Sequence, residues 1–149
     1  DKREAVKWYR LAADQGNAEA QGWLGYCYYF GEGIREDKRE AVKWYRLAAD
    51  QGNAEAQWRL GDCYFFGHGV GKNKREAVNW YFLSAEKGNA EAQRRLGACF
   101  YFGHGVAKNR QEAIRWYRLA AEQGHLHAEE AGSNVKGRAK SIVTVFIKR

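Results

Sequence analysis

Three cysteines and two histidines are the side chains best suited to chemistry, and their spacing argues against a reactive site. Cys27, Cys63 and Cys99 follow one another at intervals of 36 residues, and His68 and His104 keep the same interval. An odd number of cysteines without a C-x-x-C motif favours neither a zinc site nor a disulfide framework. Each set is therefore one position of a repeat, and we interpret the cysteines as small buried apolar residues.

No combination of residue types predicts catalysis or a cofactor. The sequence offers no nucleophile with a base and an orienting acid, and no cluster of metal ligands. Gly67 and Gly69 form a G-x-G pair that recurs in every repeat, which indicates a turn rather than a phosphate-binding loop. His68 lies in that turn and aligns with Glu32, so a polar turn position is favoured over a metal ligand. We therefore expect a protein that is not an enzyme and that holds no metal or cofactor.

The composition indicates a folded protein of basic character. Of the 149 residues, 45% are hydrophobic and 15% aromatic, and the formal net charge is +7. Such a charge permits an acidic partner without requiring one. No apolar stretch approaches the length of a membrane span. The unpaired cysteines favour a reducing, cytoplasmic compartment, and an exported bacterial location stays open if a signal peptide precedes this chain.

A 36-residue repeat organises most of the chain. Residues 1–21 recur unchanged at 37–57. The apolar spacing within one period predicts two helices, from about Ala54 to Phe66 and from about Lys74 to Glu86. Two helices per unit that pack on neighbouring units predict an all-α fold, an α/α solenoid. Four tryptophans keep the repeat interval and are interpreted as packing between repeats: Trp8, Trp44, Trp80 and Trp116.

Residues at the helix ends support these bounds. Asn53 is a suitable N-cap for the first helix of a unit. Asn73, with Glu76 three residues later, predicts a capping box for the second helix. Gly67 and Gly88 supply the left-handed conformation that commonly ends a helix.

One period also carries a fixed order of small, aromatic and glycine residues: Ala56, Leu60, Gly61, Tyr64, Gly67, Gly69, Ala77, Trp80, Tyr81 and Ala85. This order resembles the Sel-one-like repeat (SLR), a relative of the tetratricopeptide repeat, over roughly residues 1–124. The resemblance implies a superhelical solenoid with repeats at 17–52, 53–88 and 89–124. Residues 1–16 would then be the orphan second helix of a truncated repeat in a longer array. Residues 125–149 would form an irregular tail, in which Ser141 to Ile147 could be a strand or a cover for the last repeat.

A helical wheel separates a core face from a free face on the first helix. With Leu60 at the core, Ala56 lies within about 40° of it, whereas Trp58, Asp62 and Phe65 lie about 140–200° away. The repeats also differ most from one another at three positions of this helix, of which two lie on that far side and one flanks the core. Two independent arguments therefore predict that this face is free, although sequence drift without function is the alternative.

The resemblance implies that this free face lines the concave surface of the solenoid and that the protein is an adaptor or scaffold. Exposed tryptophan and tyrosine beside arginine are typical of binding hot spots. We predict that a protein or peptide segment binds there, in a groove lined by Tyr26, Tyr29, Trp58, Arg59, Asp62, Phe65, Arg94, Arg95 and Tyr101.

Two other functions are open to the same sequence. An outer stripe of basic residues on the second helices could bind an anionic polymer or surface, although a solvated face is the more ordinary interpretation and nucleic acid is not expected. Its members are Arg3, Lys7, Arg10, Arg39, Lys43, Arg46, Arg75, Arg115 and Arg118. Some cysteine-rich bacterial relatives are linked to cell-wall-like lactams, but those carry two cysteines per repeat and this chain carries one, so we expect no such activity.

Overall fold

The computed structural model describes the backbone of residues 1–130 and the side chains of residues 1–124. These residues form seven α-helices and contain no strand: α1 (Lys2–Asp14), α2 (Ala18–Phe30), α3 (Lys38–Asp50), α4 (Ala54–Phe66), α5 (Lys74–Glu86), α6 (Ala90–Phe102) and α7 (Arg110–Glu130). The fold is thus the predicted all-α solenoid of helix-turn-helix repeats. The chain divides into two compact units, Asp1–Trp80 and a second that begins at Tyr81.

The predicted helix bounds are confirmed for α4 and α5. The end of α7 is different, because the helix continues to Glu130 through a segment that was predicted to be irregular. Gly16, Gly52 and Gly88 adopt φ values of 91–93° and end their helices, whereas Gly124 does not have a positive φ. The strand or cap predicted between residues 141 and 147 lies outside the described residues.

The N-caps form as predicted, but the capping box forms only in part. The Asn53 side chain accepts a hydrogen bond from the backbone N–H of Ala56 at 2.9 Å, and Asn73 accepts one from Glu76 at 3.0 Å. The backbone N–H of Asn73, however, donates to the carbonyl oxygen of Tyr64 at 2.8 Å. The reciprocal bond from the Glu76 side chain is therefore not needed, and the turn is tied to the helix before it.

The G-x-G turn is a packing feature, as the sequence indicated. Gly33 and Gly69 have φ values of 71° and 74°. A Cβ atom at Gly33 would lie 2.3 Å from the carbonyl oxygen of Lys2, and one at Gly69 would lie 2.2 Å from that of Lys38. Only glycine allows the turn to approach the first residues of α1 and α3 so closely.

In the first unit, α2 packs against α1 and α3, and α3 packs against α4. Leu24 and Leu60 belong to two buried clusters that also contain Cys27 and Cys63 respectively. Two of the repeated tryptophans, Trp44 and Trp80, pack against these clusters, which confirms their predicted packing role. Trp8 differs, since its side chain is 66% exposed.

Glutamine side chains connect successive repeats in this unit. The Gln21 amide nitrogen donates to the carbonyl oxygen of Ala13 at 3.2 Å. The Gln51 amide nitrogen donates both to Gln21 Oε1 at 2.7 Å and to the carbonyl oxygen of Gly16 at 3.0 Å. These bonds bring side-chain donors to the carbonyl groups of Ala13 and Gly16, at and just beyond the end of α1, where carbonyls lack the N–H group of a following helical turn.

The second unit repeats the same arrangement. There α6 packs on α7, and Leu96, Cys99 and Tyr117 are buried. Gln123 donates to Gln93 Oε1 at 2.9 Å and to the carbonyl oxygen of Gly88 at 2.6 Å. The same glutamine pair therefore occurs in both units and is a feature of the repeat.

Candidate functional site

A cleft of about 300 Å³ opens between α2 and α4 in the first unit. Its lining residues are Glu19, Gly22, Trp23, Tyr26, Asn53, Glu55 and Arg59. Gly22 explains the opening, because it aligns with Trp58 of the next repeat and leaves the corresponding volume empty. A Cβ atom there would meet only the side-chain oxygen of Asn53, at 3.8 Å.

Aromatic rings form one wall of the cleft. The Trp23 side chain is 47% exposed, and its ring lies 5.9 Å from that of Tyr26 in an edge-to-face arrangement. Tyr9 stacks on Trp23 at 6.2 Å, and Phe30 lies 4.7 Å from Tyr26. The two cleft rings are thus supported by neighbouring rings, which fixes the apolar wall in place.

An ion pair at the start of α4 also lines the cleft. Arg59 Nη2 lies 3.1 Å from Glu55 Oε1, and the indole N–H of Trp58 donates to Glu55 Oε2 at 2.9 Å. The Arg59 guanidinium lies 4.4 Å from the Trp58 ring and 4.9 Å from the Tyr26 ring. Glu55 therefore has its charge balanced by this ion pair, and Arg59 is held between two aromatic rings.

The exposure predicted for Trp58 is wrong, because its side chain is only 7% exposed. The wheel gives the direction in which Cβ leaves the helix, whereas the long indole can turn along the helix surface. Here it turns towards Glu55, one turn earlier, and lies against Arg59. Trp58 thus supports Arg59 and presents little surface of its own.

The structure brings only two of the predicted groove residues, Tyr26 and Arg59, into this cleft. The Tyr29 hydroxyl instead shares a hydrogen bond of 2.6 Å with His68 Nδ1. Phe65 is half-buried, with its ring 5.2 Å from Lys74 Nζ. Three more predicted groove residues of the first and second units are half-buried outside the cleft lining: Asp62, Arg94 and Tyr101.

Arg94 and Arg95 of the second unit share one carboxylate. Both form ion pairs with Glu91, and Arg95 Nη1 lies 2.8 Å from Glu91 Oε2. Burial and the charge of Arg95 lower the pKa of Arg94. The role of all nine predicted groove residues in binding a partner stays a prediction.

Sequence reasoning missed Trp23 as a site residue. Trp23 aligns with Arg59 and Arg95, which were both predicted to line the groove. The signal in the sequence was that an aromatic residue stands here where the other two repeats have an arginine. The structure adds that Trp23 is exposed beside an empty volume.

Two arginines do not belong to the exposed basic stripe that the sequence predicted. Arg10 and Arg46 are half-buried, and each donates a hydrogen bond to a tyrosine hydroxyl, of Tyr28 and Tyr64 respectively. Their guanidinium groups also lie 5.7 Å and 5.5 Å from the centres of those rings. The long side chains reach across to a first helix, so these charges contribute to packing between helices.

The cysteines are buried and unpaired, as predicted. Burial raises the pKa of Cys63 to about 12 and raises that of Cys27. A thiol with such a pKa is protonated at neutral pH and is a poor nucleophile. Within the described part of the chain, no three His, Cys, Asp or Glu side chains are placed to hold a metal ion. No helix in that part is long and apolar enough to cross a membrane.

Comparisons with known proteins agree with this repeat architecture. A family model for the Sel1 repeat matches residues 1–17, 18–53, 54–89 and 90–125. A Sel1 repeat protein from Oxalobacter formigenes has 37% sequence identity over 93% of this chain, with a TM-score of 0.78. The protective antigen c5321 of uropathogenic Escherichia coli has 36% identity over 99% of this chain, with a TM-score of 0.80 and an SLR fold.

The chain spans 58% of the first of these proteins and 34% of the second. Cysteine rich protein B of Helicobacter pylori has the same fold at 22% identity, covering 83% of this chain and 89% of its own length, with a TM-score of 0.66. No curated protein matches the sequence significantly.

Proposed function

The chain belongs to the Sel1 repeat family, and from that premise we propose that it is an interaction scaffold whose first-helix face binds a peptide or protein segment. The first-helix face is the surface that α2 and α4 present around the cleft described above. Sel1 repeat proteins are generally protein-interaction scaffolds and typically not enzymes. The fold alone does not assign a task, so the proposal depends on the features of this particular face.

The observation that carries the proposal is the open cleft beside Trp23. Exposed tryptophan and tyrosine in a partly enclosed site are the residues that most often supply binding energy at protein interfaces. Arg59 is already held in place in the free protein, which reduces the conformational entropy that would be lost on binding. A cleft with one aromatic wall and a held arginine suits one anchoring side chain of an extended partner.

Selection from a displayed library of random peptides tests this proposal, with the affinity of each selected peptide then measured by calorimetry. Trp23→Ala should weaken binding by about 2 kcal/mol, as expected for a tryptophan hot spot. Trp8→Ala is the matched control, because Trp8 is also an exposed tryptophan of the first unit but does not line the cleft. The control should leave affinity unchanged.

Gly22→Trp provides a second test that fills the cleft without removing a contact residue. The substitution copies the residue that the next repeat already carries at this position. Peptides that bind the cleft should lose their affinity. If they bind this variant and Trp23→Ala as tightly as the natural protein, the proposal is refuted. A steep loss of such binding with added salt would point to the basic residues of the second helices instead.

A further inference from the structure

We propose that the α2–α4 cleft takes a basic side chain, an arginine or lysine of the bound segment. This inference rests on the proposed function and names the chemistry of the anchoring residue. Three observations carry it: a glutamate without the arginine that other repeats provide, an internal arginine held by the same kinds of groups, and the distribution of charge among α1 to α4.

The first observation concerns the glutamate that begins each first helix. In the second repeat Glu55 pairs with Arg59 four residues later, and in the third Glu91 pairs with Arg95. In the first repeat the residue four positions after Glu19 is Trp23. Glu19 forms no ion pair within the described residues, and it lines the cleft. A cation from a partner would replace the arginine that the other repeats supply themselves.

The second observation is the way in which the chain binds its own cation at this site. Arg59 is held by the carboxylate of Glu55, the face of Trp58 and the face of Tyr26. The cleft offers an incoming cation groups of the same two kinds: the carboxylate of Glu19 and the exposed ring of Trp23. A guanidinium or ammonium group beside an aromatic face and a carboxylate gains both cation–π and ion-pair attraction.

The third observation is that the charge of α2 and α4 differs in sign from that of α1 and α3. Together α2 and α4 carry three carboxylates, of Glu19, Glu55 and Asp62, and one guanidinium, of Arg59. By contrast, α1 and α3 each carry four basic and two acidic residues. The first-helix face formed by α2 and α4 therefore has a net negative charge, whereas α1 and α3 each have a net positive charge. Because Arg59 is already balanced by Glu55, the surplus charge at the cleft is that of Glu19.

A titration with a short neutral-ended peptide, acetyl-Gly-Arg-Gly-amide, tests the inference. The indole N–H signals of a nitrogen-15-labelled sample would be followed by NMR and assigned with the Trp23→Phe and Trp8→Phe variants. We expect a saturable shift of the Trp23 signal and none of the Trp8 signal. The same peptide with citrulline, which is neutral and nearly identical in shape, should bind about threefold to fivefold more weakly, as expected for the loss of an exposed ion pair.

Two variants separate the charge from the shape of the cleft. Glu19→Gln should weaken binding of the arginine peptide by about threefold to fivefold, whereas Asp14→Asn, an equal change of charge at an exposed site on α1, should have no effect. Gly22→Trp should abolish the shift. Equal binding of the citrulline and arginine peptides, or unchanged binding by Glu19→Gln, would overturn the inference.

Failure of this inference is distinguishable from failure of the proposed function. If binding of the library peptides requires Trp23 and an unfilled cleft but the peptides share no basic residue, the scaffold proposal stands and the proposal of a basic anchoring side chain is refuted. If they depend on neither, both proposals fail. If they depend on both features and share an arginine or lysine, the two proposals are supported together.

Discussion

Two glycines of α2 should respond in opposite directions to the same substitution. Gly22 and Gly25 both lie inside the helix, so replacement by alanine gives each the same gain in helix propensity, about 1 kcal/mol. Their surroundings differ. A Cβ atom at Gly22 meets only Asn53 Oδ1 at 3.8 Å, which is ordinary contact, whereas one at Gly25 would lie 2.7 Å from Cδ1 and 2.9 Å from Cε1 of Tyr45.

The cost at Gly25 follows from these distances. To restore an ordinary contact of 3.4 Å, the Tyr45 ring would have to move by about 0.7 Å. Tyr45 is 1% exposed and lies within a packed cluster, so it has no room to move. Inserting a methyl group into such a core costs about 1–3 kcal/mol. Gly22→Ala should therefore stabilise the fold by about 1 kcal/mol, and Gly25→Ala should destabilise it by up to about 2 kcal/mol after the gain in propensity.

Urea unfolding followed by circular dichroism measures both changes, and thermal unfolding provides a second reading. Gly22→Ala should raise Tm by about 2–4 °C for a chain of this length. The difference in unfolding free energy between the two variants isolates the steric cost at Gly25, because the gain in helix propensity is common to both. The slope of free energy against urea should stay unchanged, which would show that the denatured state is not altered. Equal shifts of the same sign would refute the close approach of α2 to Tyr45.

Three further predictions concern buried polar groups. Gln21→Ala should cost about 1–3 kcal/mol of unfolding free energy, since it removes the bonds to Ala13 and Gln51, whereas alanine at the exposed Gln15 should change it by less than about 0.5 kcal/mol. Tyr45→Phe should raise the unfolding free energy by about 1 kcal/mol, because the buried hydroxyl has no hydrogen-bond partner within the described residues; a loss measured by urea unfolding would show that a partner exists. Burial raises the pKa of Cys63 to about 12 from an ordinary value of 9.0. The contribution of the protonated thiol to stability is therefore complete below pH 9 and is lost as the pH rises towards 12. Cys63→Ala should show a shallower decline of the unfolding free energy over that range.

The helices and their caps could be predicted because they depend on neighbours a few residues away along the chain. The bounds of α4 and α5 follow from apolar spacing and from residues such as Asn53 and Gly67. The positions of long side chains could not be predicted in the same way. Trp58 and Arg10 both leave the helix towards solvent on a wheel, yet the first turns back to Glu55 and the second reaches a tyrosine of another helix. Side-chain length and a nearby partner decide such cases, and a wheel contains neither.

The cleft could not be predicted from the sequence alone, because the difference between the repeats acquires a meaning only from the way their helices pack. In the sequence, glycine in one repeat and tryptophan in the next could be drift at a tolerant position. Once α2 and α4 line one cleft, Gly22 becomes the missing side chain that leaves a volume empty, and Trp23 becomes the residue that leaves Glu19 without an arginine. In the repeats that keep the arginine, Glu55 and Glu91 are balanced by their own helix. Two adjacent substitutions in an otherwise repeated helix thus open a cleft and leave one charge unbalanced beside it, which is why binding is expected where the repeats differ.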